Sequence, residues 1–428
     1  MKQKSLAAFI PKVILAVSLL SILICSKALA DTNKDEPAWP SWRGQNGDGI
    51  SKETDWNPKA LADGARVLWN VNIGPGYSNV VIQANRLYTM GWGNGESIFY
   101  CLDAATGKVL WQTPFFKSTN FPQATPAIDG DRVYGVGTDG MVLCLHAADG
   151  KILWTKDLKI DFKATPPSEL WAASPVVEGD LLLVNANTRA LALDRLTGDF
   201  RWGIDDEVPR GSWGSYATPV VGELNGKRYA LFFGPSTLNA VDVKSGEKAW
   251  SYRHGDAQHP VADPVVVAGK VFLPAPTSGT LLDPAGNTPR IVWSSPQFST
   301  WLPGPIAIDG YLYGTFLAGF SSVSDWTQLK SLNLPFYCID FKTGSVAWER
   351  VMKYVSVMSA AGKLIMLDLN GTLRIAEATP GSYKELSSAD VLAGAEKART
   401  FATPPVLCEG RIYCRNFAGD LICIDVSK

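Results

Sequence analysis

Three histidines, His146, His254 and His259, are all the imidazole this 428-residue sequence contains. A zinc-type centre needs clustered His, Cys or carboxylate ligands, and no such spacing occurs around them. There is no Gly-rich phosphate loop, no nucleophile elbow and no paired-His helix motif. The expectation is therefore no catalytic residue set and no metal centre. His254 and His259 fall in RHGDAQHP, read as a loop with a structural or solvated role. The remaining candidates are aromatic. Tyr77, Trp171, Tyr216, Trp301 and Phe401 each stand just before a strand start, most of them before a TP or SP step, with His259 in the corresponding place.

What positions these residues is a repeat. LDAATGKVLW at 102–111 returns as LHAADGKILW at 145–154, LDRLTGDFRW at 193–202 and VDVKSGEKAW at 241–250. Weaker copies end at Trp293, Trp348 and Leu386, and a truncated one closes the chain as ICIDV. Asp103 to Asp425 spans seven intervals over 322 residues, about 46 each. That period suits a four-stranded propeller blade and not a solenoid repeat of roughly 20 to 35 residues. Each unit reads as a TP-led hairpin, a third strand running into Asp, a side-chain-stabilised turn at Thr-Gly, and a fourth strand reaching Trp. His146 takes the place of the turn Asp in the second unit.

The predicted fold is thus all-β, an eight-bladed β-propeller of four-stranded antiparallel blades. The last unit lacks a fourth strand, and an orphan strand ending in Trp69 precedes the first. Strands from both termini should complete one blade, which removes a free edge. Trp69, Trp111, Trp154, Trp202, Trp250, Trp293 and Trp348 are expected to pack between neighbouring blades as structural residues. Similar positions on successive blades face a common funnel. The set Tyr77, Trp171, Tyr216, His259, Trp301 and Phe401 therefore has two readings. It stacks on a ligand or partner at the funnel mouth, such as a sugar, a quinone or a peptide, or it packs strand ends. Arg210, Trp213 and Asp256 lie in adjacent loops as weaker candidates, and 318–335 is the one sizeable insertion.

Cys101, Cys144, Cys338 and Cys423 recur at one third-strand position, where small buried hydrophobes belong. Cys414 and Cys423 become cross-strand partners for a disulfide if Asn416 pairs with Leu421; otherwise they too are core. At the N-terminus, Lys2, Lys4 and Lys12, the apolar run 13–25 and Ala28-Leu29-Ala30 have the order of a secretory signal, with cleavage expected after Ala30. The run is well short of the roughly 20 residues of a membrane-spanning helix. Cys25 follows Ile24 rather than a small residue, so lipidation is not expected. Without 1–30 the chain carries 36 basic and 41 acidic side chains, an ordinary soluble surface with no basic tract for nucleic acid. The domain reading is 1–30 signal peptide, 31–64 N-terminal strap and 65–428 propeller.

The (L/V)Dx(x)TGxxxW repeat resembles the pyrroloquinoline-quinone (PQQ)-repeat propellers over essentially all of 65–428. That superfamily holds calcium-dependent quinoprotein dehydrogenases and also non-catalytic members, among them the propeller lipoprotein of the outer-membrane barrel assembly machinery. WPSWRGQNGDGIS, residues 39–51, looks like the opening of exported propellers of this type and reads as a strap across the ring, not a site. A family dehydrogenase would hold its quinone against a vicinal-cysteine disulfide and Ca²⁺; this chain has neither Cys-Cys nor a Cys-x-x-Cys-His haem motif. The resemblance implies an exported, periplasmic, non-catalytic binding or scaffold protein without a cofactor, monomeric or part of a complex. Its partner would be an envelope protein or saccharide. The alternatives are a quinone-dependent dehydrogenase, with PQQ and Ca²⁺ in the funnel, and a carbohydrate-binding propeller.

Overall fold

The computed structural model describes residues 38–206, 212–255, 260–286, 288–300, 304–317, 332–392 and 403–428. Their strands form eight sheets. Blade 1 consists of Val81–Gln83, Arg86–Gly93, Glu96–Asp103 and Val109–Lys117, each antiparallel to the next. Blades 2 to 7 follow at 127–157, 176–205, 220–253, 265–295, 306–352 and 355–390. Blade 8 takes Val406–Cys408, Arg411–Arg415 and Asp420–Asp425 from the C-terminal end, and its fourth strand, Val67–Asn72, from the N-terminal side. The eight-bladed ring closed by strands from both ends is the architecture the repeat predicts. Blade 7 gains a fifth, parallel strand, Ile50–Ser51, against Ser359 and Ala360.

Each outermost strand carries a β-bulge at the same place, and that of blade 1 has a second irregularity opposite Ser97 and Ile98. In blade 1, Trp111 opposes Cys101 while Val109, two residues earlier, opposes Leu102. The seven other blades repeat this irregularity. A bulge breaks the regular row of unpaired backbone groups on an outer edge, so exposed apolar residues such as Val109 and Leu110 do not template pairing with another chain.

The bulge also turns the tryptophan onto the next blade. The Nε1–H groups of Trp69, Trp111 and Trp202 donate to the carbonyls of Ala104, Ala147 and Val243, each at 3.0 Å and each one blade onward. Trp154, Trp293 and Trp348 reach Arg195, Phe341 and Thr379 in the same way. The indole lies flat on the glycine of the neighbour's turn. A Cβ at Gly107 would stand 2.6 Å from the Trp69 ring, and one at Gly150 2.5 Å from Trp111. In blades 1 and 8 the second-strand tyrosine shares the tryptophan's acceptor: Tyr88 and Trp111 both donate to the Ala147 carbonyl, and Tyr413 and Trp69 to that of Ala104. Between them sits a cysteine, Cys101 or Cys423, small enough to let both rings reach across. Blades 2 and 6 align the same row, Tyr134-Cys144-Trp154 and Tyr313-Cys338-Trp348.

The disulfide alternative is excluded by register. Arg415, not Asn416, pairs with Leu421, so Cys423 opposes Tyr413 while Cys414 opposes Ile422. Adjacent strand residues point to opposite faces, and both thiols are free and buried.

Gly107 and Gly130 both adopt left-handed backbone, at φ +71 and +59, but nothing lies within 4 Å of a Cβ at Gly130. Gly130→Ala is expected to cost only the conformational penalty, about 1–2 kcal/mol. Gly107→Ala should cost about 1–3 kcal/mol more, because the methyl must displace the indole that closes the ring. Denaturant unfolding of the two variants side by side checks this, and equal losses would contradict the docking account.

Candidate functional site

A propeller concentrates loops on its faces and the starts of its innermost strands around the axis. Both regions are ordered here by hydrogen bonds between neighbouring blades. At the axis, residues at the starts of the innermost strands form a belt. Asn79 N–H donates to Thr125 Oγ1 (2.9 Å), Thr125 N–H to Ser174 Oγ (2.9 Å), Ser174 N–H to Thr218 Oγ1 (3.2 Å) and Thr218 N–H to Asp263 Oδ1 (2.8 Å). On the other side Thr403 donates to Asn79 Oδ1 at 3.2 Å. In blades 2, 3 and 4 the hydroxyl of the TP or SP step is therefore a blade-to-blade acceptor, and in blade 8 it is a donor.

Inside this belt lies the segment 39–51. Trp39 bridges Ile82 in blade 1, and the Pro40 carbonyl accepts from Ile128 N–H in blade 2. Trp42 Nε1 donates to Asp263 Oδ2 in blade 5 at 2.6 Å, and Arg43 Nη2 donates to the Pro305 carbonyl in blade 6 at 2.7 Å. Ile50–Ser51 then pairs with blade 7, and the Glu53 carboxylate accepts from the N–H groups of Glu409 and Gly410 in blade 8. Thirteen residues thus hydrogen-bond to five blades across the axis before Glu53 reaches a sixth. The cavity left at the centre, lined by Trp39, Trp42, Arg43, Asn79, Val357 and Met358, has room for about one water molecule.

Two charges are buried there. Burial pushes the Asp263 carboxyl up from its usual range, opposed by Arg43 and by the donors Trp42 and Thr218. Burial likewise lowers Arg43, opposed by Asp263 and Asp48. Arg43 sits at φ +62, a left-handed conformation unfavourable for a residue with a Cβ. These axial residues do not fit a quinone with Ca²⁺. The chain itself occupies the space, both Asp263 oxygens are engaged, and no group of three or more potential metal ligands occurs among the described residues.

Of the aromatic candidates, Tyr77, Trp171 and Tyr216 lie in the connectors that lead from one blade to the next, and Tyr77 and Tyr216 knit one connector to its neighbour. Tyr77 N–H donates to the Pro122 carbonyl, Gln123 Nε2 to that of Glu169, Glu169 N–H to the Tyr216 hydroxyl and Tyr216 N–H to the Pro260 carbonyl. Tyr77 is half-buried against Phe417, with ring centroids 4.7 Å apart, and Phe121 and Trp92 extend that cluster. Trp171 is buried; a Cβ at Gly140 would stand 2.7 Å from its ring, and Lys159 Nζ lies 5.8 Å from the ring centroid. Tyr216 is buried and donates to the Trp213 carbonyl. His259, Trp301, Phe401, Arg210 and Asp256, like residues 1–37 and 318–331 of the insertion, lie outside the described residues. Trp213 is 48% exposed.

Sequence reasoning did not single out Arg43, Asp263 or Arg415. A signal for Asp263 existed, since it interrupts the TP/SP series as DP. Arg415 is fully buried and holds the blade 8 to blade 1 junction, donating to the carbonyls of Ser78, Met90 and Gly74 and to Thr89 Oγ1. His254 donates through Nε2 to the Gly234 carbonyl at 3.2 Å, packs edge-on against Phe233, and has no partner at its buried Nδ1. Desolvation lowers its pKa to about 4.

Comparison with known proteins places these features in context. The family model described as outer membrane protein assembly factor BamB matches residues 59–202 and 94–350. The outer membrane protein assembly factor BamB of Yersinia pestis is 21% identical over 373 residues, covering 83% of this chain and 77% of that protein. Among solved structures, BamB from Moraxella catarrhalis superposes with a TM-score of 0.62 at 16% identity, covering 84% of this chain and 99% of that one. The quinohemoprotein alcohol dehydrogenase of Comamonas testosteroni gives 0.68 at 12% identity, covering 91% and 80%. At these identities the structural likeness carries the fold alone. Among the described residues no helix is long and apolar enough to cross a membrane.

Two outcomes follow from the buried charges. Asp263→Ala leaves Trp42, the Thr218 N–H and Arg43 uncompensated, and should cost about 3–5 kcal/mol in denaturant unfolding; a loss below 1 kcal/mol would show the carboxylate to be dispensable. For His254, the folded pKa is depressed, so the unfolded chain takes up a proton first as pH falls. Stability should drop between pH 6.5 and about 4, by at most about 3 kcal/mol, and His254→Phe should flatten that part of the profile.

Proposed function

The chain belongs to the family of the outer membrane protein assembly factor BamB, and from that premise we propose that it is an exported, non-catalytic propeller of the bacterial envelope that holds a protein partner in a complex. One observation carries the reading: the axis, where a propeller of this repeat type would take a small ligand, is filled by residues 39–51 of the chain itself. What remains for binding is the rims, and these are built from connectors cross-linked blade to blade, a rigid platform of the kind that presents loops to a macromolecule. The leader at 1–30 supports export to the periplasm. The family supports a role as a subunit in outer-membrane protein assembly, with the partner among the components of that process.

A quinone-dependent dehydrogenase is the second reading, favoured by the propeller likeness to quinohemoprotein alcohol dehydrogenase. The two separate on a pair of measurements. Calorimetric titration of residues 31–428 with pyrroloquinoline quinone, with and without Ca²⁺, is expected to give no binding, and alcohol and aldose oxidation assays no turnover. Deleting the gene from its host is expected to lower the amount of β-barrel protein in the outer membrane. Micromolar Ca²⁺-dependent quinone binding with turnover would overturn the scaffold reading. Unchanged β-barrel levels would remove the assembly role.

A further inference from the structure

Six blades lead their inner strand with a proline, and among them two neighbours depart from the hydroxyl that the other four carry; both departures face one side chain. Before the strand-start proline, blades 2, 3, 4 and 8 carry a hydroxyl: Thr125, Ser174, Thr218 and Thr403. Blade 5 carries a carboxylate, Asp263, and blade 6 carries no side chain, Gly304. Asp263 is the first-ranked charge acting on the Arg43 guanidinium. A Cβ at Gly304 would lie 3.6 Å from Arg43 Nη1, already in van der Waals contact, and 3.3 Å from the Asp263 carbonyl, so a side chain longer than a methyl there would compete with the guanidinium for room. The Pro305 carbonyl next to that gap accepts from Nη2 at 2.7 Å, and the Asp48 carbonyl from the same nitrogen at 3.4 Å. Packing alone would not select this composition. An apolar residue would fill the same volume without burying a charge, and replacing buried ionic groups by apolar ones is often neutral or stabilising.

The segment gives up backbone freedom to deliver this side chain. Arg43 stands at φ +62, where glycine is the favoured residue, with Gly44 immediately after it at φ +81. Gly49 passes Ile306 so closely that a Cβ there would stand 2.8 Å from that side chain.

We propose that the axial channel is a guanidinium site filled from within: Arg43 is a built-in ligand, blades 5 and 6 are shaped to receive it, and residues 39–51 form a plug that keeps the channel shut while Arg43 is seated. The ligand class the site takes is a planar cation with several N–H donors. The acceptors are the backbone carbonyls of Pro305 and Asp48, and the Asp263 carboxylate supplies the balancing charge. A lysine would bring the charge but not the planar fork. The plug goes beyond the scaffold reading and does not rest on it, since the occupancy of the axis can be tested without any partner.

Two variants of the full chain test the proposal. Gly304→Val puts two methyls beyond a Cβ that already touches the guanidinium and offers it no acceptor, at a backbone position that is not left-handed. Arg43 is 7% exposed, so trypsin should cut after it slowly in the unaltered protein. In Gly304→Val, mass-mapped cleavage after Arg43 should run roughly ten- to a hundredfold faster, the effect of losing charge-assisted hydrogen bonds on the population of the unseated segment. No acceleration there would overturn the plug. Arg43→Gly removes the side chain and relieves the backbone at once, and its melting temperature should rise saturably with ethylguanidinium but not with ethylammonium at equal ionic strength, while the unaltered protein responds to neither in that way. Equal responses of the variant to the two cations would overturn the guanidinium site, leaving Arg43 a packing residue.

Discussion

The sheets stay in one ring through a contact made at six of the eight junctions, where one blade buries an indole face against the backbone of the next and satisfies the indole's one polar atom there. An indole placed between blades without an acceptor would bury an unpaired donor, at a cost of about 1–3 kcal/mol for each blade. Here the acceptor is a backbone carbonyl of the neighbouring turn, and the surface under the indole is a glycine whose left-handed backbone makes that turn. The turn is in turn held by its aspartate: Asp103 Oδ1 accepts from both the N–H and the hydroxyl of Thr106, and Asp340 does the same with Thr343. The three repeated residue types Asp, Gly and Trp are therefore one device spread over two blades. In blade 7 the tryptophan's register position, opposite Ile375, is taken by Ser387, which donates to the Pro58 carbonyl of the N-terminal segment, and the blade gains an extra parallel strand.

This explains which features were legible in the sequence. The ring, its blade count and its closure by both termini are written in a repeat with strong and weak copies, so a weak copy is corrected by strong ones. The register of a single hairpin is not averaged in this way. Whether Cys414 opposes Cys423 or Ile422 depends on one residue of stagger, and the turn at Asn416, which both donates to and accepts from Asp420, sets it. The axial residues were harder still. Arg43 and Asp263 are 220 positions apart in the chain, one in the segment read as a strap and the other in an X-Pro step, and no spacing links the two. Asp263 resembles a tolerated variant of the TP step until the neighbouring gap at Gly304 is seen beside it in space.

The aromatic candidates show how one-dimensional position misleads at a propeller rim. Residues that precede successive inner strands do occupy equivalent places, but each connector leans along the rim toward the next. Tyr216 uses its hydroxyl both to accept from Glu169 and to donate to Trp213, which fixes the connector between blades 3 and 4 to the one before it. Trp171 lies over Gly140 at the tip of the blade 2 hairpin, buried on one side and covered by the Lys159 ammonium on the other. The group of Tyr77, Phe121 and Trp92 around Phe417 keeps half-buried rings, and it sits at the junction of the first and last blades, where Arg415 ties the carbonyls of Gly74, Ser78 and Met90 together.

Closing the axis changes what such a ring is good for. A channel ligand is recognised by the innermost strand starts, which here spend their polar groups on one another and on residues 39–51. Every group used in that way is withdrawn from ligand binding and added to the stiffness of the ring. Stiffness has value where loops must be held at fixed separations for a large partner, because less conformational entropy is then lost on association. The bulge on each outer strand acts in the same direction, denying association through blade edges. With the axis filled and the edges blunted, the surfaces left for recognition are the two rims, and the composition of those loops, rather than the repeat, decides what binds.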